Sequence, residues 1–176
     1  MTGNTFSNNL FRDFQAYDPG NPPSDPEKAS LGIGMGNNFY ADVVDNVFEN
    51  VAFGILMSGI APSGTPPLIS GGSISEVHRG IVFYPGERDA AYEVDGVEIS
   101  NATEFGIVSF RFSGAAVGQP QLGDGTNTIA TTIRNVTITE TGNIEGDASG
   151  IATNAFDGDG LLTTTIEEST ISDNQN

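Results

Sequence analysis

The amino-acid sequence predicts an all-β protein of the solenoid class, in which short strands stack by repetition along the chain. A phrase of alternating apolar and polar residues returns four times, and each copy contains or ends in Asn or Asp. A Gly-Ile pair also returns, at intervals of about 22 to 26 residues, within the range expected of repeat architectures. One such unit cannot bury its apolar face alone, so the repetition predicts a core built by stacking.

The four phrases are interpreted as strands because their apolar residues are mostly β-branched and are separated by polar ones. They are Val44–Asn50, Val94–Asn101, Ile133–Thr139 and Ile166–Asn174. Alternate side chains of a strand share a face, so we expect ten of these residues to point inward and stack: Val44, Val47, Val94, Val97, Ile99, Ile133, Val136, Ile138, Ile166 and Ile171. Amides that follow three of the strands are expected to form a hydrogen-bonded ladder: Asn50, Asn101 and Asn174.

The Gly-Ile pairs are interpreted as marks of successive coils. They are Gly32-Ile33, Gly54-Ile55, Gly80-Ile81, Gly106-Ile107 and Gly150-Ile151. The strand phrases drift in spacing, which predicts loops of unequal length within the coils. Residues 39–53 are interpreted as a pair of strands, because Asn50 and several β-branched residues disfavour a helix. The chain therefore divides into an irregular or capping region, residues 1–36, and a solenoid of roughly five to seven coils, residues 37–176.

The chain of 176 residues is strongly acidic, with 23 Asp and Glu, 6 Lys and Arg and a formal net charge of −17. So negative a chain argues against binding nucleic acid or an anionic membrane through a basic patch. No apolar run approaches the length of a membrane-spanning helix. The absence of cysteine excludes disulfides, thiolate zinc sites and thiol catalysis.

Two explanations of the acidity stay open, a solvated surface and the capture of a hard cation such as calcium. Calcium needs several oxygen ligands, and two glycine-rich loops offer closely spaced carboxylates. The candidate ligands are Asp124, in Gly123–Asn127, and the pair Asp157 and Asp159. Neither loop fits an EF-hand or a glycine-rich calcium repeat, and a turn also explains both.

His78 is the sole histidine of the chain, and the two interpretations of it are an acid–base group and a surface residue beside a strand. We expect the surface residue, because the sequence fixes no second catalytic group beside it. Five arginines are the candidates for holding a uronate carboxylate or for acting as the base of a lyase: Arg12, Arg79, Arg88, Arg111 and Arg134. We expect them instead to pair with neighbouring carboxylates.

The phrases resemble the right-handed parallel β-helix of bacterial surface and secreted proteins. Val97–Asn101 and Glu168–Asn174 look like the strand-and-asparagine coils of autotransporter passengers and adhesin repeats. Phe6–Asn9 and Gly71–Ile74 look like the short Phe-x-x-Asn and Gly-Gly-x-Ile motifs of polymorphic outer-membrane proteins. The resemblance covers residues 37–176 by pattern and implies an elongated stack of coils. It implies no single activity, because the same fold carries pectin-degrading enzymes, alginate epimerases, phage tailspikes and adhesins.

We therefore expect a non-catalytic module, extracellular or on the cell surface, that serves adhesion, assembly or structural support, with a filament subunit as one form of it. The expected partners are further copies, a larger surface assembly or carbohydrate. The alternative is a lyase or epimerase acting on an acidic polysaccharide, which so negative a chain would repel unless calcium bridged the two. A groove holding an arginine and three acids would favour the enzyme, and uncapped apolar end coils would favour the filament.

Overall fold

The computed structural model describes residues 4–13, 30–36, 41–59, 66–85, 89–112, 128–142, 149–156 and 161–173, and every regular element within them is a β-strand. All-β architecture is thus confirmed. The strands are β1 (Thr5–Ser7), β2 (Leu10–Arg12), β3 (Leu31–Met35), β4 (Asp42–Val44), β5 (Val47–Gly59), β6 (Leu68–Ser70), β7 (Ser73–Pro85), β8 (Ala90–Asp95), β9 (Glu98–Phe112), β10 (Ile129–Arg134), β11 (Thr137–Thr139), β12 (Ser149–Phe156), β13 (Leu162–Glu167) and β14 (Thr170–Ser172).

The strands form two sheets, and the strands within each sheet pair in parallel. The first sheet has the order β1-β4-β6-β8-β10-β13, and the second has the order β2-β5-β7-β9-β11-β14. Two further strands of the second sheet pair beside that path, β3 with β5 and β12 with β9. The chain alternates between the two sheets. We call one strand of the first sheet, together with the strand or strands of the second sheet that follow it, a pass. The region 1–36, predicted as irregular or capping, contributes β1, β2 and β3 to this arrangement.

Each pass repeats the same corner between its two sheets. In each of the six passes, an inward residue of the first sheet is followed five positions later by an inward residue of the second sheet, for example Val94 by Ile99. The residue two positions after each of them has a left-handed backbone conformation, for example Gly96 (φ 68°) and Asn101 (φ 54°). Gly, Asn and Asp adopt that conformation most readily. This requirement explains why Asn or Asp recurs in the strand phrases.

Two columns of inward side chains run through the sheets in register. The first consists of Phe6, Val43, Ile69, Val94, Ile133 and Ile166. The second consists of Phe11, Phe48, Ile74, Ile99, Ile138 and Ile171. Burying each such side chain stabilises the fold by roughly 1.5 to 3 kcal/mol.

The predicted inward residues divide three ways. Six are buried as expected: Val94, Val97, Ile99, Ile133, Val136 and Ile138. The prediction is wrong for Val44 and Val47, which are half-buried because their neighbours Val43 and Phe48 occupy the two columns. Ile166 and Ile171 lie in the inward columns and stack on the preceding pass, as expected, but they stay 47% and 41% exposed because they are at the edge of the sheets.

The Gly-Ile pairs lie side by side, which confirms that they mark successive layers. Ile33, Ile55, Ile81, Ile107 and Ile151 form one aligned column across the second sheet. The glycines permit close approach between passes, because a Cβ on Gly54 would lie 2.7 Å from the Gly80 carbonyl oxygen and 2.9 Å from Cγ2 of Ile74. The pair thus supplies one core residue and one point of close backbone contact.

The long strands of the second sheet bury their other face as well. A second apolar cluster lies there and comprises Ala52, Phe53, Val82, Phe105 and Val108. A parallel sheet buried on both faces has a nearly continuous apolar sequence, as in residues 51–57 of β5 and residues 80–83 of β7. Polar residues in this layer must find partners within the protein.

Candidate functional site

A β-bulge in β9 brings a cluster of charged residues together. Val77 pairs with Ala102 and Arg79 with Phe105, so β9 has one residue more than β7 between these two pairings. Two residues of β9, Thr103 and Glu104, therefore face His78. Bulges redirect side chains in this way and are common next to functional sites.

His78 bonds both residues of the bulge. Its Nδ1 lies 3.0 Å from Oγ1 of Thr103, and its Nε2 lies 2.9 Å from Oε2 of Glu104. The expectation of a surface histidine is wrong, because the ring is buried against the apolar layer and meets the ring of Phe53 edge-on at 6.0 Å. A buried imidazole needs both nitrogens bonded, and the bulge supplies the two partners.

Arg79 bonds the same carboxylate and lies among three aromatic rings. Its Nε donates to Oε2 of Glu104 at 2.5 Å. The guanidinium carbon lies 5.5 to 5.6 Å from the ring centroids of Phe53, Phe105 and Phe110. Cation–π contacts of this kind contribute roughly 0.5 to 2 kcal/mol as the site is desolvated. The side chain is therefore held both by charge and by packing.

The environment of Glu104 keeps its carboxyl ionised. Burial alone would raise its pKa, but the hydrogen bonds from His78 and Arg79 and the charges of both residues outweigh burial and lower the pKa to about 2. At neutral pH the carboxylate is an acceptor bonded to two donors. General acid–base catalysis is most effective when the pKa of the group lies near the working pH, so the geometry suits Glu104 to holding the bulge rather than to moving protons.

Two further arginines in the described part of the chain form ion pairs with carboxylates. Arg12 bonds Glu49, and Arg134 lies 3.7 Å from Glu93. With Arg79 and Glu104, these pairs confirm the expectation that arginines in so acidic a chain meet neighbouring acids. Arg88 and the side chain of Arg111 lie outside the described residues.

The predicted calcium ligands fall in loops outside the described residues, namely Asp124, Asp157 and Asp159. Within the described part of the chain, no group of three His, Cys, Asp or Glu side chains is placed to hold a metal ion. Of the predicted amide ladder, Asn50 and Asn101 occupy equivalent left-handed corners, whereas Asn174 lies beyond residue 173. The Nδ2 of Asn50 donates to Oδ1 of Asp13 in the preceding pass at 2.8 Å, so an acid shares the corner with the amide.

The outer edges of the stack form a second candidate site. At the edge formed by β13 and β14, a cleft of about 500 Å³ is lined by Thr164, Ile166 and Ile171 together with residues of β12. At the opposite edge, formed by β1 and β2, Phe6 and Leu10 are exposed, Leu10 by 58%. Each edge has one side that pairs with no other strand of the described residues, and exposed apolar side chains beside such a side mark a surface that can accept another chain.

The described residues contain no helix with the length and apolarity needed to cross a membrane. Comparison of the chain with protein-family models, curated proteins and solved structures found no match.

Proposed function

We propose that the two parallel sheets are walls of a right-handed parallel β-helix of six coils, and that the protein is a non-catalytic structural module that associates through its end coils. The constant five-residue corner and the aligned Gly-Ile column support one coil for each pass. The right hand follows the strong preference of crossovers between parallel strands in one sheet. A place outside the cell, in adhesion, assembly or support, extends the resemblance of the strand phrases to surface and secreted proteins.

One observation carries the proposal, namely that both outer edges of one continuous core expose apolar residues. Phe6 lies at one edge, and Ile166 and Ile171 lie at the other. Side chains at the same positions of the inner passes are buried, namely Val43, Ile69, Val94 and Ile133 in the first column and Phe48, Ile74, Ile99 and Ile138 in the second. Pairing of the edges with further strands would bury these residues in the same way.

Sedimentation velocity over a wide range of concentrations tests the proposal on the whole chain. We expect the sedimentation coefficient to rise with concentration, and to rise further with added salt, because the net charge of −17 makes the copies repel one another at low ionic strength. A single species of monomer mass at every concentration and salt level would contradict an assembling module.

A further inference from the structure

We infer that each edge takes a second copy of this chain, stacked head to tail and in register, so that β13 and β14 of one copy pair with β1 and β2 of the next. This inference rests on the proposed function and specifies its partner and geometry. Translation along the stack would place Ile166 against Phe6 and Ile171 against Phe11 of the neighbour, continuing both inward columns.

The backbone groups of the two edges match in the second sheet. In a parallel strand, alternate residues direct their N–H and C=O groups to opposite neighbours. The amide of Thr170 donates to the carbonyl of Val136, so Ile171 faces the unpaired side of β14. On β2, Leu10 and Arg12 face the unpaired side, because the flanking residues bond β5 through the carbonyl of Asn9 and the amide of Asp13. In-register stacking sets Ile171 between Leu10 and Arg12, as a parallel ladder requires.

The backbone N–H and C=O groups of the two edges also match in the first sheet. The amide of Ile129 donates to the carbonyl of Leu161, and this alternation leaves Ile166 facing the unpaired side of β13. The amide of Asp42 donates to the carbonyl of Asn4, which leaves the first and last residues of β1 facing the unpaired side. Since Ile166 aligns with the middle of β1, its N–H and C=O would meet those two residues. One translation thus satisfies both sheets at once.

Two buried polar atoms without partners lie at equivalent positions of the opposite edges. The Nδ2 of Asn4 and the Oγ1 of Thr164 are shielded from solvent and make no hydrogen bond. Ile166 aligns with Phe6, so Thr164 aligns with Asn4 of the neighbour, at the strand spacing of about 4.8 Å. After a side-chain rotation the amide would donate to the hydroxyl. Unpaired buried donors and acceptors are rare in folded proteins, and stacking would pair these two.

Charge favours head to tail over tail to tail. Residues 161–173 carry three carboxylates and no Lys or Arg, the acids being Glu167, Glu168 and Asp173. Two such edges would repel each other. Head-to-tail stacking sets Glu168 against Asn8 and brings Arg12 beside Asp173. It also brings Asp173 near Asp13, whose Oδ1 already accepts the Asn50 amide, so the arginine and added salt must offset one unfavourable contact.

Complementation between two blocked variants tests the direction of stacking. Phe6→Asp blocks the β1 and β2 edge, and Ile171→Asp blocks the β13 and β14 edge. Ile171→Pro is a second block that removes an outward-facing N–H and no internal hydrogen bond, a position proline tolerates on edge strands. Thr137→Asp, an exposed charge in the middle of the stack, is the matched control. Circular dichroism and thermal melting establish that each variant is folded.

We expect each blocked variant alone to sediment as a monomer. An equimolar mixture of Phe6→Asp and Ile171→Asp should form a one-to-one dimer and nothing larger. The control should assemble like the wild type. A head-to-tail contact joins two different edges, so two half-blocked copies share one intact junction. If the wild type assembles but the Phe6→Asp variant alone forms dimers, the contact is tail to tail and the inference fails while the proposed function stands. If the mixture stays monomeric while the wild type assembles, the inference fails as well. If the wild type is monomeric, the proposed function itself fails.

Discussion

Glu104→Gln isolates the charge at the centre of the bulge cluster. The glutamine keeps the shape and one acceptor, and it removes the negative charge that Arg79 and His78 face. The difference between the ordinary carboxyl pKa of 4.5 and about 2 corresponds to roughly 3 kcal/mol. Water reaches 27% of the side chain, and screening reduces the expected loss of stability near neutral pH to about 2 kcal/mol.

The sign of the pH dependence follows from the direction of the pKa change. A carboxyl whose pKa is lower in the folded than in the unfolded protein resists protonation when folded, so acid favours unfolding. The stabilisation by Glu104 is complete above the unfolded value of about 4.5, and it is lost as the pH falls toward 2. The gap in free energy of unfolding between the wild type and Glu104→Gln should therefore close over that range.

Urea unfolding at a series of pH values measures this gap directly. Taking the difference between the two proteins cancels the titration of the other carboxylates, which dominates either curve alone. Glu93→Gln is the matched control, because Arg134 lies 3.7 Å away in a half-exposed pair and such pairs contribute little. A gap for Glu104→Gln that is constant with pH, or no larger than that of the control, would show that the charge of Glu104 does not stabilise the cluster.

Two further predictions concern the fit between passes. Gly54→Ala should lower the free energy of unfolding by about 2 to 3 kcal/mol, because the added Cβ would meet backbone of the next pass. Gly34→Ala is the control and should change the free energy of unfolding little, because there is room for a Cβ at that position. Thermal melting of both variants tests this, and equal losses of stability would contradict it. Thr164→Val should stabilise the monomer by about 1 kcal/mol, because it removes a buried hydroxyl that has no partner. Thr131→Val, at the aligned position of the preceding pass, should destabilise the monomer by a similar amount, because it leaves the hydroxyl of Ser109 unpaired. Urea unfolding measures both changes, and changes of the same sign would contradict the prediction.

The repeating parts of the fold could be predicted from the sequence because one backbone requirement recurs in every pass. The Gly-Ile spacing located five strands, since only glycine fits where neighbouring passes approach most closely. The first phrase was misaligned by one residue, because Asp45 and Asn46 both suit a corner. Asp45 is the left-handed residue, and Asn46 turns inward to donate to the carbonyls of Phe6 and Val44. A slip of one residue exchanges the two faces of a strand.

The bulge cluster left a weaker trace in the sequence. Gly54 and Gly80 each follow the left-handed corner by four residues, whereas Gly106 follows Asn101 by five. That extra residue is the bulge, but nothing in the spacing indicates that the inserted side chain bonds His78 and Arg79. Their meeting depends on burial of both faces of the second sheet, a property of the whole stack.

The acidity of the chain and its exposed edges bear on the same physical problem. A parallel stack leaves unpaired backbone at each end, and natural proteins limit unwanted pairing there with short strands and charge. Here the edge strands β1, β2 and β14 have three residues each, and every charged side chain of residues 161–173 at the β13 and β14 edge is negative. Charge of one sign repels copies at low ionic strength but leaves the apolar and backbone match intact. Assembly through these edges should therefore be reversible and set by salt rather than by a change in fold.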